Sequence, residues 1–195
     1  MNNSPVDTLG APGGGAAAVA PDAAATGAAA TTPDAAATGA GATGAAATPD
    51  AAATREPIDA QAAKELAAEL HGKGFNCAQS VACALGPELG LDADTACRLA
   101  EGFGAGMGGM SETCGAISGA VLVLGWENSR GVEDPTSKRS TYRLARSVVD
   151  EFRDKNGATL CRELKGIGCD HPALRSCPGC IDDAVDIAVS ILNER

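Results

Sequence analysis

The sequence predicts an all-α fold: a small bundle of about five to seven helices with a Gly-rich loop, preceded by a disordered tail. Three observations carry that expectation. Apolar residues recur every three or four positions behind Asp and Asn residues placed as N-caps, the spacing of a helix with one buried face. No segment alternates apolar and polar residues with the period of two that a half-buried strand needs. The composition also changes abruptly after residue 54, which divides the chain into a tail, 1–54, and a helical Cys-rich domain, 55–195.

Residues 1–54 contain no Lys, Arg, aromatic or Cys and consist mostly of Ala, Gly, Thr and Pro. The unit Pro-Asp-Ala-Ala-Ala-Thr begins at Pro21, Pro33 and Pro49. Alanine favours helix, but Gly and Pro interrupt each run before the dozen or so residues an isolated helix requires, so the segment reads as a low-complexity tail. All fifteen basic residues and twenty-one of the twenty-five acidic ones fall in 55–195, giving that part a charge of minus six. A nucleic-acid or anionic-membrane surface is disfavoured by that sign. The longest apolar run, Ala116 to Trp126, is about half of what a membrane helix needs, and no secretory leader pattern opens the chain. The expected compartment is the cytoplasm, where eight cysteines point to metal or redox use rather than structural disulfides.

The first helix is expected from about Asp59 to His71, with Leu66 and Leu70 on its buried stripe, Ala63 facing solvent, and Gly72 and Gly74 ending it. Asn76 caps a second helix carrying Cys77, Val81 and Leu85 on one face until Gly86-Pro87 stops it. Asp92 caps a third, through Glu101, with Cys97 at its middle. Five glycines then fall between Gly102 and Gly109, too many for a stable helix, and Gly109 is expected to need glycine for its backbone angles. Thr113 or Ser111 caps a small-residue and aliphatic helix that runs to about Trp126. Asp134-Pro135 opens the longest helix, reaching Lys155-Asn156, with Leu144, Val148 and Phe152 inward. A short helix begins at Thr159-Leu160-Cys161 and ends at Gly166, and the last carries Ile181, Val185, Ala188 and Leu192 inward.

Gly104-x-Gly106-x-x-Gly109 matches a dinucleotide fingerprint as a string, but a helix precedes it in place of a strand, and no Lys-Ser/Thr pair follows. No nucleotide is expected. Four cysteines, Cys77, Cys114, Cys161 and Cys177, fall at or just before the first turns of four separate helices. Unpaired amide N–H groups and the helix dipole favour thiolate there, so Cys114, in a first turn flanked by glycine, is expected to be the most acidic thiol. Several thiolates gathered at one place must either bind a cation or an iron–sulfur unit, or oxidise to disulfide. Cys83 and Cys97, at mid-helix, read as small buried hydrophobes. Cys177-Pro178-Gly179-Cys180 has the spacing of a redox dithiol, and with Cys169 it has the spacing of a fragment of a metal site. His171 reads as a loop histidine, and His71 as a charge complementing a helix C-terminus.

Asn76-Cys77-Ala78-Gln79, then Gly102-Phe103-Gly104 through Cys114-Gly115-Ala116-Ile117-Ser118-Gly119, then Cys161-Arg162-Glu163-Leu164-Lys165-Gly166, then Cys177-Pro178, resemble the C_GCAxxG_C_C family of redox-active proteins over nearly all of residues 60–193. The resemblance implies one redox centre made of Cys77, Cys114, Cys161 and Cys177, which serve as redox residues or as metal ligands, with Gly115 and Gly119 beside any cofactor. Split-Soret cytochromes, a relative, add haem and an iron–sulfur centre; this chain has no Cys-x-x-Cys-His, so haem c is not expected. The expected function is electron transfer through an iron–sulfur or other metal centre or through dithiol–disulfide exchange. Its partner would be a redox protein, with a homo-oligomer left open. The alternative is a structural zinc or buried-thiol module acting by protein interaction. Whether the chain is an enzyme stays open.

Overall fold

The computed structural model describes residues 55–195, and the expectation of a disordered tail over 1–54 lies outside them. Seven α-helices succeed one another: α1 (Ala60–Gly72), α2 (Cys77–Leu85), α3 (Ala93–Ala100), α4 (Gly115–Asn128), α5 (Lys138–Asn156), α6 (Cys161–Leu164) and α7 (Cys177–Asn193). Among the described residues the extended structure is limited to one antiparallel bridge, Thr113 with Leu160.

The caps set the starts. The Asp59 carboxylate accepts from the Gln61 and Ala62 amides at the head of α1, and Asp92 accepts from Thr95 at the head of α3. Asn76 makes a full capping box: its side chain accepts from Ala78 and Gln79, and the Gln79 side chain accepts from the Asn76 amide. Ser176 caps α7 by accepting from Gly179. Asp134 caps a 3₁₀ turn, Pro135–Ser137, and α5 starts only at Lys138, three residues later than the Asp134-Pro135 signal implied. Cys114 itself is the N-cap of α4, in place of Thr113 or Ser111. Thr113 lies one residue earlier, in the backbone bridge to Leu160.

Helix α2 sits at the centre, with every residue but Gln79 buried, and packs on α1, α3, α4 and α7. Small residues allow that density. A Cβ on Gly119 would lie 2.6 Å from the Ala78 carbonyl oxygen, so α4 rests directly on the α2 backbone. On the far side α5 brings fully buried Val148 and Phe152 to the core, with Leu144 half-buried. The inward set of α7, Ile181, Val185, Ala188 and Leu192, is buried as expected.

Two expectations about α1 are corrected. Its buried stripe is Ala63 and Ala67, whereas Leu66 is 41% exposed. The alanines let α1 lie close to α2 and α7, and that proximity outweighs the larger hydrophobe. Ala63, expected in solvent, is therefore in the core.

Candidate functional site

The site begins with the caps. Because Asn76 caps α2, Ser176 caps α7 and Cys114 is itself the cap of α4, Cys77, Cys114 and Cys177 are fixed at helix starts. Cys161 opens α6, and two backbone bonds lock that segment to the residues leading into α4: the Cys114 amide donates to the Thr159 carbonyl at 2.8 Å, and the Cys161 amide donates to the Glu112 carbonyl at 2.9 Å. This bridge ties the starts of α4 and α6 together, with Cys114 opposite Thr159 and Cys161 opposite Glu112, a pairing that helix periodicity alone does not reveal.

The glycine loop closes the site from above. Ala105, Gly106, Met107, Gly108 and Met110 all have positive φ, so three non-glycine residues adopt the left-handed conformation. Gly104 and Gly106 are required by close approach. A Cβ on Gly104 would collide with the Asn76 side chain, and one on Gly106 would lie 2.7 Å from the Cys161 Cβ. Gly109, for which special backbone angles were expected, has none; the demand falls on Gly106 and Gly108.

Beneath this loop lies a cavity of about 180 Å³, lined almost wholly by apolar carbon and sulfur. Cys77, Cys114, Cys161 and Cys177 all line it, and so does Cys180. The first four were expected together; Cys180 was left outside that set. The sequence also missed three other lining residues. These are His71, at the end of α1, and the cations Lys165 and Arg175. Cys83, Cys97 and Cys169 do not line the cavity. His171 is in an exposed loop, its ring nitrogen 2.8 Å from the Pro172 carbonyl oxygen. Gly115 touches the centre directly, since a Cβ there would lie 2.5 Å from the Cys77 sulfur, whereas Gly119 faces the α2 backbone.

The thiols interact with one another. Hydrogen bonding to Cys114 and then burial raise the Cys77 pKa against the opposing pull of the Ala105 and Ala78 amides. Cys114 is pushed up to about 12, first by its hydrogen bond to Cys180 and further by burial, with Cys77 and the Ala116 amide acting in the opposite direction. Cys161 is raised by burial, although the Lys165 charge pulls it down. The expected acidic Cys114 is thus corrected. The helix-start amides do favour its thiolate, but a 4% exposed sulfur bonded to another thiol is held protonated. Outside the cavity, burial and then Cys97 push Cys83 up to about 12.

Positive charge enters with Lys165, which lines the cavity together with Cys177 and whose pKa is raised chiefly by the Cys177 sulfur. Arg175 folds over the first turn of α7, where Gly179 leaves room for it, and clamps Asp183 one turn on. Its Nε is 2.8 Å from Oδ2 and its Nη2 is 3.1 Å from Oδ1. Lys155 adds a third contact at 2.8 Å, so the 1% exposed Asp183 carboxylate is held by two cations. Burial opposes its ionisation, but the Lys155 and Arg175 bonds prevail and its pKa is lowered.

The described residues contain no group of three or more His, Cys, Asp and Glu side chains that could hold a metal ion. The cavity thiols therefore do not form a single-ion site in this geometry, although their donor chemistry is that of soft thiolate sites. No described helix is long and apolar enough to cross a membrane. A family model described as "Putative redox-active protein (C_GCAxxG_C_C)" matches residues 75–191. No curated protein and no solved structure matches the chain.

Proposed function

The chain belongs to the C_GCAxxG_C_C family of redox-active proteins, and we propose that its redox centre is the sulfur-lined cavity, cycling between thiols and a disulfide. The observation that carries this reading is the gathering of Cys77, Cys114, Cys161, Cys177 and Cys180 around one small apolar cavity. Thiols that line one small cavity have the neighbours that disulfide formation or exchange requires. The raised pKa values of Cys77 and Cys114 keep these inner sulfurs protonated at neutral pH, so they are oxidised only by exchange with a disulfide delivered to the cavity, whose two sulfurs leave as thiols. The partner is a redox protein, and the centre serves two-electron transfer.

A second reading is favoured by the cavity volume of about 180 Å³ and its sulfur donors. A multi-atom iron–sulfur cluster could be held by Cys77, Cys114, Cys161 and Cys177 around the wall. Bound there, it would supply one-electron transfer. The chain's own residues would exclude water through the glycine loop and orient the ligands through the four helix starts.

Anaerobic purification followed by iron and zinc analysis, an absorption spectrum and a free-thiol count before and after reduction separates these readings. The thiol reading expects a colourless protein without stoichiometric metal that gains two thiols on reduction. Visible absorption with stoichiometric iron would replace it with the cluster.

A further inference from the structure

We infer that Cys177 and Cys180 form the dithiol through which the centre meets its substrate, a disulfide of a partner protein or small thiol compound, with Cys177 attacking and Cys180 resolving. The inference rests on the thiol reading above and adds a substrate class, an entry point and a fifth sulfur to it.

Four observations converge on this pair. Cys177 and Cys180 are the first and fourth residues of α7 and line the same cavity. Positions three apart share a helix face with Cβ atoms about 5–6 Å apart, close enough for a disulfide after a small adjustment of the first turn. Their exposures differ in the useful sense: Cys177 is half-buried and can be reached, whereas Cys180 is 3% exposed. Lys165 lines the same cavity as Cys177 and brings a positive charge to it. Cys180 and Cys114 line the same cavity, so a disulfide formed at the entry has a route to the inner sulfurs.

The step balances as follows. The Cys177 thiolate attacks one sulfur of the substrate disulfide, forming a mixed disulfide while the other sulfur leaves as a thiolate and takes a proton. Cys180 then gives up its proton and attacks the Cys177 sulfur, releasing the second substrate thiol and leaving a Cys177–Cys180 disulfide. One disulfide has been reduced to two thiols, and the dithiol has lost two electrons and two protons. A reducing dithiol of another protein restores it by the reverse exchange. Lys165 is a positioning residue that lines the cavity beside the attacking sulfur and attracts an anionic substrate.

The test uses the reduced full-length protein, oxidised glutathione as probe, and mass spectrometry of non-reduced peptides. The wild type should form a Cys177–Cys180 disulfide and release two equivalents of glutathione. C180S, and C180A as a second variant with its fold checked by circular dichroism, should retain glutathione on Cys177. C177S should form neither product. K165M should form the Cys177 adduct at least tenfold more slowly, while K165R should stay near the wild-type rate. If C180S and C180A release glutathione as the wild type does, or if the adduct sits on another cysteine with Cys177 untouched, the entry pair is wrong. A Cys77–Cys114 disulfide that forms equally in C177S would overturn the entry pair but leave the thiol reading standing. A wild type that forms no cavity disulfide would overturn both.

Discussion

A methyl group on Gly115 would lie 2.5 Å from the sulfur of Cys77, so the start of α4 is built around that thiol. The Phe103 carbonyl oxygen, 2.8 Å from the same point, blocks the other direction. Neither neighbour is the free end of a flexible side chain. Gly115→Ala should therefore destabilise the protein by about 1–3 kcal/mol, as overpacking does in a dense core. Gly119→Ala, which meets the Ala78 carbonyl oxygen, should cost a similar amount, whereas Gly102→Ala, with nothing within 4 Å, should be near neutral. Urea unfolding of the three variants checks this; equal stability of all three would remove the packing argument.

The Asp183 carboxylate gives an acid-sensitive contribution. Its pKa is lowered in the folded state, so its stabilisation is present above the ordinary carboxylate range and is lost as pH falls through the folded value. Asp183→Asn keeps the shape and removes the charge facing Lys155 and Arg175. Because both cations are partly exposed, at 46% and 39%, the expected loss is about 1–3 kcal/mol, less than for a wholly buried pair. Thermal melts of wild type and variant at pH 7 and below pH 4 should show the gap narrowing in acid. A gap that widens would contradict the assignment.

The buried thiols give the opposite pH dependence. Cys77, Cys83 and Cys114 have folded pKa values above the ordinary thiol value of 9.0. The folded state binds these protons more tightly, so their contribution is fully present below pH 9 and falls as pH rises toward the folded values. The melting temperature of the reduced protein should drop between pH 8 and pH 10.5, and Cys83→Ala should drop less. No alkaline loss in the wild type would show that these sulfurs are not held protonated.

Reactivity should follow exposure rather than helix position. Iodoacetamide at pH 8 should label half-buried Cys177, Cys169 and Cys97 before Cys77 and Cys114, which are 7% and 4% exposed. Peptide mapping over time checks the order; early labelling of Cys114 would restore the helix-start expectation.

Much of this was legible in the sequence, for local reasons. Asp59, Asn76 and Asp92 accept from the amides two or three residues on, so a single residue type at a single place marks each helix start. The convergence of Cys77, Cys114, Cys161 and Cys177 on one wall was visible because a cysteine at a helix start is a local pattern too. What escaped depends on tertiary contact. The α1 stripe went to Ala63 and Ala67 because close helix approach rewards small residues. The acidity of Cys114 was misjudged because the dipole is a local effect, whereas its burial and its bond to Cys180 come from α7, far along the chain. Lys165 escaped because a lysine after a short helix carries no mark of the sulfur it will meet.

The cavity sulfurs are proposed to act as a reversible thiol–disulfide couple. The most direct test equilibrates the protein in glutathione buffers of graded redox ratio and maps disulfides by mass spectrometry of acid-quenched peptides. The predicted result is one reversible two-electron transition, with the disulfide confined to Cys77, Cys114, Cys161, Cys177 and Cys180, while Cys83, Cys97 and Cys169 remain thiols. A disulfide that joins one of those three outer cysteines to the cavity set, or cavity thiols that never oxidise across the range, would contradict it.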